Sequence, residues 1–372
     1  MIRAYYIDRI RVILTALVIL HHTAITYGAP GGWYYREVPA NFSFTGIFFI
    51  LFVSVNQAYF MGFFFLLAGY FTPASYNRKG PWHFLLDRLI RLGIPWIGFA
   101  VLLDPLTSAL AQTAGQPPAT TADFLRSYGN RVLSGDWHDG PLWFAQALLI
   151  FSAAYIIWRQ FASMPRTDTP LPPARAWFLG ALAVGAAAIL IRQWFPVGTN
   201  FIGMQLGYFA SYIFLFAVGT VAYRQNWLQQ LNWKTARGWT IAAIALMPVM
   251  LVGAALAGRL SATPVNFAGG WGFPAVLYAF WEPFVAWGVI AGYLIWFRDH
   301  ANRPSNTWQY LATLAYAVYI FHAPVLVAIS VLLRPWAAPA LAKFALTGSL
   351  ATIATVALSS LVLQIPGLRR LL

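Results

Sequence analysis

The sequence predicts an all-α, polytopic integral membrane protein with about ten transmembrane helices and both termini in the cytoplasm. Hydrophobic residues make up 60% of the 372 residues, charged residues make up only 9%, and the mean hydropathy is +0.63. An ordinary soluble domain has about 25% charged residues. Apolar stretches of about 20 residues, enough to cross a hydrocarbon core as helices, recur along the whole chain. The predicted spans are 10–27, 44–71, 90–110, 141–161, 176–194, 203–223, 238–258, 273–297, 308–333 and 339–365.

The placement of charge along the chain supports this topology. The formal net charge is +14, from 24 Lys and Arg against 10 Asp and Glu. With a cytoplasmic N-terminus, 17 of the 24 basic residues fall in the inside segments, which satisfies the positive-inside rule. The basic excess therefore indicates membrane topology and not nucleic-acid binding. We expect a multi-pass protein of the cell membrane, that is, a plasma or bacterial inner membrane.

The chain is expected to form a single transmembrane domain over residues 1–372, in contact with the lipid bilayer. It contains no cysteine, which excludes disulfides, thiolate catalysis and cysteine metal sites. Two polar loops interrupt the apolar pattern. Residues 112–139 are predicted outside, long enough for a lid or an acceptor platform, and the Pro-rich residues 162–175 are predicted to be an inside linker.

The first predicted span combines charges with two adjacent histidines, in the stretch DRIRVILTALVILHH. On a helix, Arg11 and His22 differ by roughly 20° in direction and about 16 Å in height, so they share one face. His21 points roughly 80° away from Arg11, whereas Asp8 falls near the shared face. An arginine at the cytoplasmic rim and a deeper imidazole could hold the two ends of an elongated ligand. Acyl-coenzyme A, with phosphates at one end and a thioester at the other, has that shape.

Ionisable residues inside predicted spans have a structural alternative. The hydrogen-bonding groups of a buried histidine such as His22 can be satisfied by the backbone of a neighbouring helix. An intramembrane histidine on the same helix face as Arg11 instead favours a functional role. Glu282 and His322 also lie inside predicted spans, where either a functional site or a polar contact between helices is consistent with the pattern. Asn56 and Gln57 are more typical of hydrogen bonds between helices.

Two further groups have weaker patterns. Arginines at cytoplasmic helix ends, such as Arg88 and Arg91, commonly anchor topology, although two guanidinium groups three residues apart also suit phosphate. Asp136, His138 and Asp139 carry metal-capable side chains, but their generic spacing favours a solvated turn. The sequence therefore predicts no metal site.

The stretch Ile7-Asp8-Arg9-Ile10-Arg11, followed by His22, resembles the N-terminal signature of the membrane-bound acyltransferase family 3, an arginine, ten residues and a histidine. The match selects His22 over His21. Four further motifs are similar in order to those of the family: FMGFFFLLAGYF (60–71), DRLIRLGIPW (87–96), GPLWFAQALL (140–149) and TLAYAVYIFHAPVLV (313–327). In the first and the last of these four, Ala68 and Ala315 replace the serines that are usual in the family.

The resemblance implies an O-acyltransferase that uses acyl-CoA as donor and no metal. His22 would act as general base, while Arg11, Arg88 and Arg91 would hold the coenzyme A phosphates. The position of Asp8, and not the resemblance, predicts that it pairs with Arg9 or Arg11 and orients that arginine. The expected acyl group is of the acetyl or succinyl class. The expected acceptor is a hydroxyl of a cell-envelope glycan or similar molecule, because the HHTAITYG and GGWYY runs are also similar to glucan-modifying relatives. The sequence leaves open whether transfer is direct or passes through an acyl-enzyme.

A different class of function is also consistent with a polytopic chain. In a transporter or exporter, His22 and Glu282 would relay protons or line a substrate path. Such proteins favour interrupted helices at matching positions of two repeated halves, and no such repeat is found in this sequence. A receptor-like or scaffolding protein would leave the Arg11–His22 arrangement without a purpose.

Overall fold

The computed structural model describes residues 4–114, 120–162, 169–260 and 265–372. In these residues the protein is 78% helical and forms no strand, so the predicted all-α class is confirmed. The helices are α1 (Tyr5–Thr26), α2 (Phe44–Arg88), α3 (Ile94–Gly98), α4 (Asp104–Gln112), α5 (Thr121–Ser134), α6 (Trp143–Phe161), α7 (Ala174–Ile191), α8 (Phe209–Arg224), α9 (Trp227–Gln230), α10 (Trp233–Leu246), α11 (Val249–Leu260), α12 (Phe273–His300), α13 (Asn306–Leu332), α14 (Ala340–Val362) and α15 (Leu368–Leu371).

Among the described residues, nine helical segments are long and apolar enough to cross a membrane, against ten predicted. The difference lies in one segment, Phe44–Gln112, whose 69 residues cover both the second and the third predicted spans. A straight helix of that length would extend about 100 Å, more than three times the hydrocarbon core. Gly80 interrupts it with a φ of 72° and a ψ of 168°. The multi-pass membrane architecture is therefore confirmed, while the cytoplasmic side of the termini stays a prediction.

Proline residues explain why two predicted spans are not single regular helices. Between α2 and α4 the chain forms π-helical turns at Leu89–Gly93 and Phe99–Leu103, with Pro95 and Pro105 just beyond them. The predicted span 238–258 is divided into α10 and α11 at Pro248. Proline lacks the N–H that a regular helix uses, so each site departs from the α-helical pattern.

The segment 112–139 was predicted to be a polar loop, and this prediction is wrong for most of the part that the structure describes. Helix α5 occupies it, and residues 115–119 lie outside the described residues. A capping box begins the helix, because Thr120 accepts from Asp123 N at 3.2 Å while the Asp123 carboxylate accepts from Thr120 N at 3.0 Å. Gly135 ends it at a φ of 73°.

The predicted inside linker 162–175 is only partly covered, because residues 163–168 lie outside the described residues. The remainder of that linker leads into α7, which begins at Ala174 after Pro173. Of the 17 basic residues predicted on the inside, Arg3 and Arg166 also lie outside the described residues.

The chain divides into two compact units, each built from three stretches of sequence. Unit 1 comprises residues 1–10, 54–84 and 151–304, and unit 2 comprises residues 11–53, 85–150 and 305–372. Because neither unit is continuous in sequence, each requires chain segments from both halves of the protein. The single-domain expectation for 1–372 stays a prediction.

In unit 1, helices α7 and α10 both pack against α12. The contact between α10 and α12 is made close by Gly288 and Gly292, a pair of small residues one turn apart. The Thr240 hydroxyl donates to the Gly288 carbonyl at 3.2 Å. A Cβ atom at Gly288 would overlap the carbonyl group of Trp239 and lie 2.5 Å from the Cβ of Ala243.

In unit 2, α13 packs against both α14 and α4. Ile19 of α1, Leu314 and Leu326 of α13, and Ala351 of α14 form one buried apolar cluster. Outer residues of α14, such as Ile353 at 66% exposure, remain uncovered, as expected for a helix that faces lipid. The cluster holds α13 beside the C-terminal half of α1.

Gly288→Ala is expected to lower the stability of the protein, because the added methyl group must push the α10 backbone away from α12. Overpacking of this kind costs about 1–3 kcal/mol. Gly238→Ala is the matched control, because Gly238 has open space around its Cβ position in α10. It should be neutral or gain about 0.5–1 kcal/mol from the helix propensity of alanine. Thermal unfolding of both variants in detergent tests this, and equal melting temperatures would contradict the close-contact account.

Candidate active site

Helix α1 carries Arg11 and His22 on one uninterrupted helix, from Tyr5 to Thr26. Over eleven residues the helix rises about 16 Å and the two side chains differ by roughly 20° in direction, so both residues lie on one face of α1. Both side chains are partly buried in unit 2. His21 is more deeply buried, at 5% exposure, and its ring meets the His22 ring edge-on at 5.5 Å.

The His22 ring is part of a stack of three aromatic rings within unit 2. The Trp33 ring lies parallel to it, with ring centroids 3.8 Å apart and planes 14° apart. The His322 ring, from α13, is also nearly parallel to His22 at 5.5 Å and 18°. Trp33 and His322 are 6.0 Å apart at 13°. The sequence pattern around His322 is consistent with either a functional site or a polar contact between helices, and the structure brings His322 next to His22.

Each ring of this stack has a buried nitrogen without a hydrogen-bond partner. These atoms are His22 Nδ1, Trp33 Nε1 and His322 Nε2. A buried polar group left unsatisfied costs about 1–3 kcal/mol, so native structures keep few of them. Three such nitrogens on stacked rings indicate a place prepared for a polar ligand or a reacting group.

The tautomer of His322 follows from its hydrogen bond. Its Nδ1 lies 2.6 Å from the carbonyl oxygen of Tyr319, which can only accept, so Nδ1 carries the proton. In a neutral ring Nε2 is then the acceptor. The Tyr319 hydroxyl donates to the carbonyl of Pro141 and its ring lies 6.1 Å from that of Phe144. The GPLWF and Tyr-x-x-His motifs therefore meet in unit 2.

Trp33 is presented by the segment between α1 and α2. This segment turns back at Gly28 and Gly31. Their φ values of 129° and 141° are positive, a backbone conformation that glycine adopts without strain. The Glu37 amide donates to the Thr26 carbonyl at 2.9 Å, closing the segment onto the end of α1. The Lys343 ammonium of α14 forms an ion pair with the Glu37 carboxylate. These contacts hold Trp33 over His22.

The neighbouring Tyr34 joins the same segment to the end of 112–139. Its hydroxyl donates to the Asp104 carboxylate at 2.6 Å, and the His138 amide donates to the other oxygen of that carboxylate at 3.2 Å. Burial raises the pKa of the Tyr34 hydroxyl well above its usual value, so Tyr34 remains a donor at neutral pH. The segment around His138 is therefore attached beside the stack.

The prediction that Asp136, His138 and Asp139 form a solvated turn is correct for two of the three residues. Asp136 and His138 have side chains that are 68% and 63% exposed. The Asp139 carboxylate instead accepts from the Trp96 indole at 2.6 Å, and burial raises its pKa. Among the described residues, no group of three His, Asp or Glu side chains has the arrangement of a metal site.

The arginines of the third motif lie at the end of α2, in unit 2. Arg88 is the last residue of α2 and is partly buried. Arg91, in the π-helical turn that follows, is 59% exposed, and its Nε lies 3.3 Å from the Asp87 carboxylate. The structure therefore leaves the Arg91 guanidinium accessible to a ligand.

Asp8 and Glu282 belong to unit 1 and are not part of the ring stack. Asp8 lies in the first turn of α1 and is partly buried. Glu282, on α12, forms a buried ion pair with Arg192. A proton relay through Glu282, as in the transporter hypothesis, would have to break this pair.

Sequence reasoning missed Trp33 as a site residue. A tryptophan in a membrane protein is usually assigned to the interfacial belt, and nothing local places this one over a histidine. The available signal was the Gly-Ala-Pro-Gly-Gly run before it, which predicts a tight return of the chain onto α1.

Comparisons with known proteins agree with these motifs. The model of acyltransferase family 3, described as an acyltransferase domain, matches residues 4–364. The chain is also similar to glucans biosynthesis protein C of Salmonella typhi and of Salmonella typhimurium, with 26% identity over 268 residues in each case. These alignments cover 67% of this chain and 66% of each relative, just under two thirds of their length. No solved structure matches significantly. Because the family model covers nearly the whole chain, this protein belongs to the acyltransferase-3 family.

Proposed function

We propose that this protein is an O-acyltransferase that moves an acetyl or succinyl-class group from acyl-CoA to a hydroxyl of a cell-envelope glycan. The observation that carries the proposal is the unpartnered His22 Nδ1, buried within a stack that also contains Trp33 and His322. Family membership and the similarity to proteins named for glucan biosynthesis support the reaction type and the acceptor class.

In the proposed reaction His22 acts as general base. Its neutral imidazole takes the proton from the acceptor hydroxyl while the oxygen forms a bond to the acyl carbon of the thioester. The carbon–sulfur bond then breaks, the coenzyme A thiolate leaves, and the imidazolium returns the proton to the sulfur. Atoms and charge balance without a metal or a covalent acyl-enzyme. His322 Nε2, an acceptor by its tautomer, would orient the attacking hydroxyl.

Trp33 has two roles in this proposal. Its ring fixes the plane of the His22 imidazole, because the centroids are only 3.8 Å apart. Its Nε1–H, buried and without a partner, would donate to the thioester carbonyl oxygen as negative charge develops there. A preorganised donor of this kind stabilises the transition state more than the ground state.

The donor would be bound along the length of α1. Arg11 lies about 16 Å from His22 along the helix axis, a separation suited to an elongated ligand with phosphates at one end. Arg88 and Arg91 would add guanidinium groups for the coenzyme A phosphates, and Asp8 would orient the arginines. Because the positive-inside asymmetry predicts a cytoplasmic arginine side, acyl-CoA would bind from the cytoplasm and the acceptor from the opposite side.

His22→Ala is expected to lower kcat for acyl transfer by about 10²–10⁴, the usual loss for a general base. Turnover is measured with purified protein in detergent as free thiol released from acyl-CoA in the presence of a glucan acceptor. His21→Ala is the matched control, because it removes the adjacent buried imidazole outside the parallel stack, and it should be much milder. Near wild-type turnover in His22→Ala would exclude His22 as the base.

Trp33→Phe is expected to lower kcat by about 10²-fold while KM stays nearly constant, because the ring is kept and the N–H is lost. Trp33→Leu should lower kcat further, since it also removes the ring that fixes His22. Steady-state kinetics of the two variants separate the roles. If Trp33→Phe behaves like the wild type and only Trp33→Leu loses activity, the indole donates nothing and acts through stacking alone.

Arg88→Ala and Arg91→Ala should each raise the KM for acyl-CoA more than they lower kcat, because phosphate contacts are made in the ground state. Lysine at either position should restore the affinity only in part, since a point charge does not reproduce a bidentate fork. Binding of a non-hydrolysable acyl-CoA analogue provides the independent readout. Unchanged affinity in both alanine variants would argue against a phosphate-binding role.

A further inference from the structure

The three nitrogens of the ring stack are enclosed as well as unpartnered. His22 Nδ1, Trp33 Nε1 and His322 Nε2 are each buried from solvent. A glycan hydroxyl therefore cannot contact His22 Nδ1 while the three rings keep these positions. Either a helix that carries one of the histidines or the segment that carries Trp33 has to move before an acceptor can react.

The two helices are the less suitable elements for this movement. Both α1 and α13 run without a break, and both contribute to one buried apolar cluster of unit 2. Moving either helix would separate the close-packed side chains of that cluster and leave a void between them. The opening is therefore assigned to the segment that carries Trp33.

Residues 28–42, which we call the lid, are built differently from the helices around them. The lid forms no helix or strand, and it has positive φ angles near its start, at Gly28 and Gly31. Its other end, 39–42, is exposed. Within the described residues, its backbone hydrogen bonds to other elements reach only the last turn of α1. The lid can therefore move while the helices stay in place.

Two polar side-chain contacts join the lid to other helices in the part of the chain that the structure describes. Tyr34 donates to Asp104 of α4, and Glu37 forms an ion pair with Lys343 of α14, which we call the latch. Lys343 is only 4% exposed, and its ammonium also donates to the carbonyl of Arg334 at 3.1 Å. Among the described residues Glu37 is its one ion-pair partner, so the charge of Lys343 is neutralised only while the lid is closed.

The stability of α14 does not explain this lysine. Lys343 lies in the first turn of α14, where the helix dipole disfavours a positive charge. Its burial adds a desolvation cost that the attraction to Glu37 only offsets, so the pair is weak evidence for stability. A role in holding the lid does explain it, because Glu37 follows Trp33 by four residues.

We propose that Glu37 and Lys343 determine whether the acyl group is transferred to the glycan or lost to water, because the latch holds the lid closed over His22. They are positioning residues, which act through Trp33 and do not touch the substrate. The proposal rests on the proposed function for the reaction itself. The lid and its latch belong to unit 2 alone.

Hydrolysis is the side reaction that a closed lid prevents. His22 would take a proton from water as readily as from a glycan hydroxyl, and water is far more concentrated. In that case the water oxygen bonds to the acyl carbon, the carbon–sulfur bond breaks, and His22 passes the proton to the coenzyme A sulfur. The acyl group leaves as a free carboxylic acid. A lid that excludes water suppresses this loss.

The position of the lid suits control of the acceptor and not of the donor. The lid follows the end of α1, and the latch joins it to the start of α14. The sequence predicts both of these helix ends on the outer side, where the glycan would arrive. Opening the lid would admit the acceptor while the donor stays bound from the arginine side.

The first test measures the lid itself, without any substrate. The chain has no cysteine, so Gly32→Cys carries the one spin label on the full-length protein in detergent. Gly32 lies in the lid and has open space around its Cβ position. Lys343→Met should raise the mobile fraction of the EPR spectrum about 10-fold, as for an open population that rises from about 1% to about 10%. Gly238→Cys, on α10 in unit 1, is the matched label site, and Lys343→Met should leave its spectrum unchanged.

The second test compares thiol release from acyl-CoA without acceptor with the acylated glucan formed in its presence. Glu37→Gln and Lys343→Met should each raise the ratio of hydrolysis to transfer about 10-fold. Lys343→Arg keeps the charge and should stay close to the wild-type ratio. The double variant Glu37→Gln/Lys343→Met should resemble either single variant, because both changes break the same pair. A merely structural defect would lower hydrolysis and transfer together.

Glu37→Gln also serves where Lys343→Met does not fold, because it replaces a less buried side chain with one of the same shape. An unchanged label spectrum, an unchanged ratio or additive effects in the double variant would each overturn the proposal. The outcome is separable from the catalytic proposal. If the label responds as expected but no acyl transfer is found, the proposed reaction fails and the latched lid stands. If transfer occurs and the ratio does not change, the reaction stands and the latch is wrong.

Discussion

The face-to-face contact between His22 and Trp33 is the interaction on which the candidate active site depends. A histidine in an apolar helix can be stabilised by a backbone carbonyl or a second polar side chain. His22 instead packs on an indole, and its Nδ1 is left buried without a partner. An aromatic face holds the imidazole in place without occupying its lone pair. The ring is therefore fixed and still able to accept a proton, which is what a general base requires.

This arrangement relies on contacts well outside the stack. Trp33 belongs to a segment without helical structure, so its position depends on the ion pair of Glu37 with Lys343 and on the hydrogen bond of Tyr34 to Asp104. His322 is oriented by the carbonyl of Tyr319, whose own hydroxyl is bound to Pro141. Parts of α1, α4, α6, α13 and α14 thus converge within unit 2. The sequence motifs are distant along the chain because the site is assembled from separate helices.

The sequence was sufficient for features set by local periodicity and composition. The apolar spans and the 11-residue spacing from Arg11 to His22 depend only on helix geometry, and both appear in the structure. The Trp33 stack and the Arg192–Glu282 pair could not be predicted, because they join residues whose separation is bridged by loops or by whole helices. Helix α5 was missed for another reason. Its capping box is visible in the sequence, but a polar stretch between two apolar spans is more typical of a loop.

The central claim is that the thioester of acyl-CoA reacts at His22, beneath Trp33. Cryo-electron microscopy of the protein with a thioether analogue of acyl-CoA tests it most directly, because the analogue cannot transfer its acyl group. The account predicts the acyl carbonyl within about 3 Å of Trp33 Nε1, with the phosphates toward Arg11, Arg88 and Arg91 and space for a hydroxyl at His22 Nδ1. An acyl end bound away from the ring stack, with His22 and Trp33 unchanged, would contradict it.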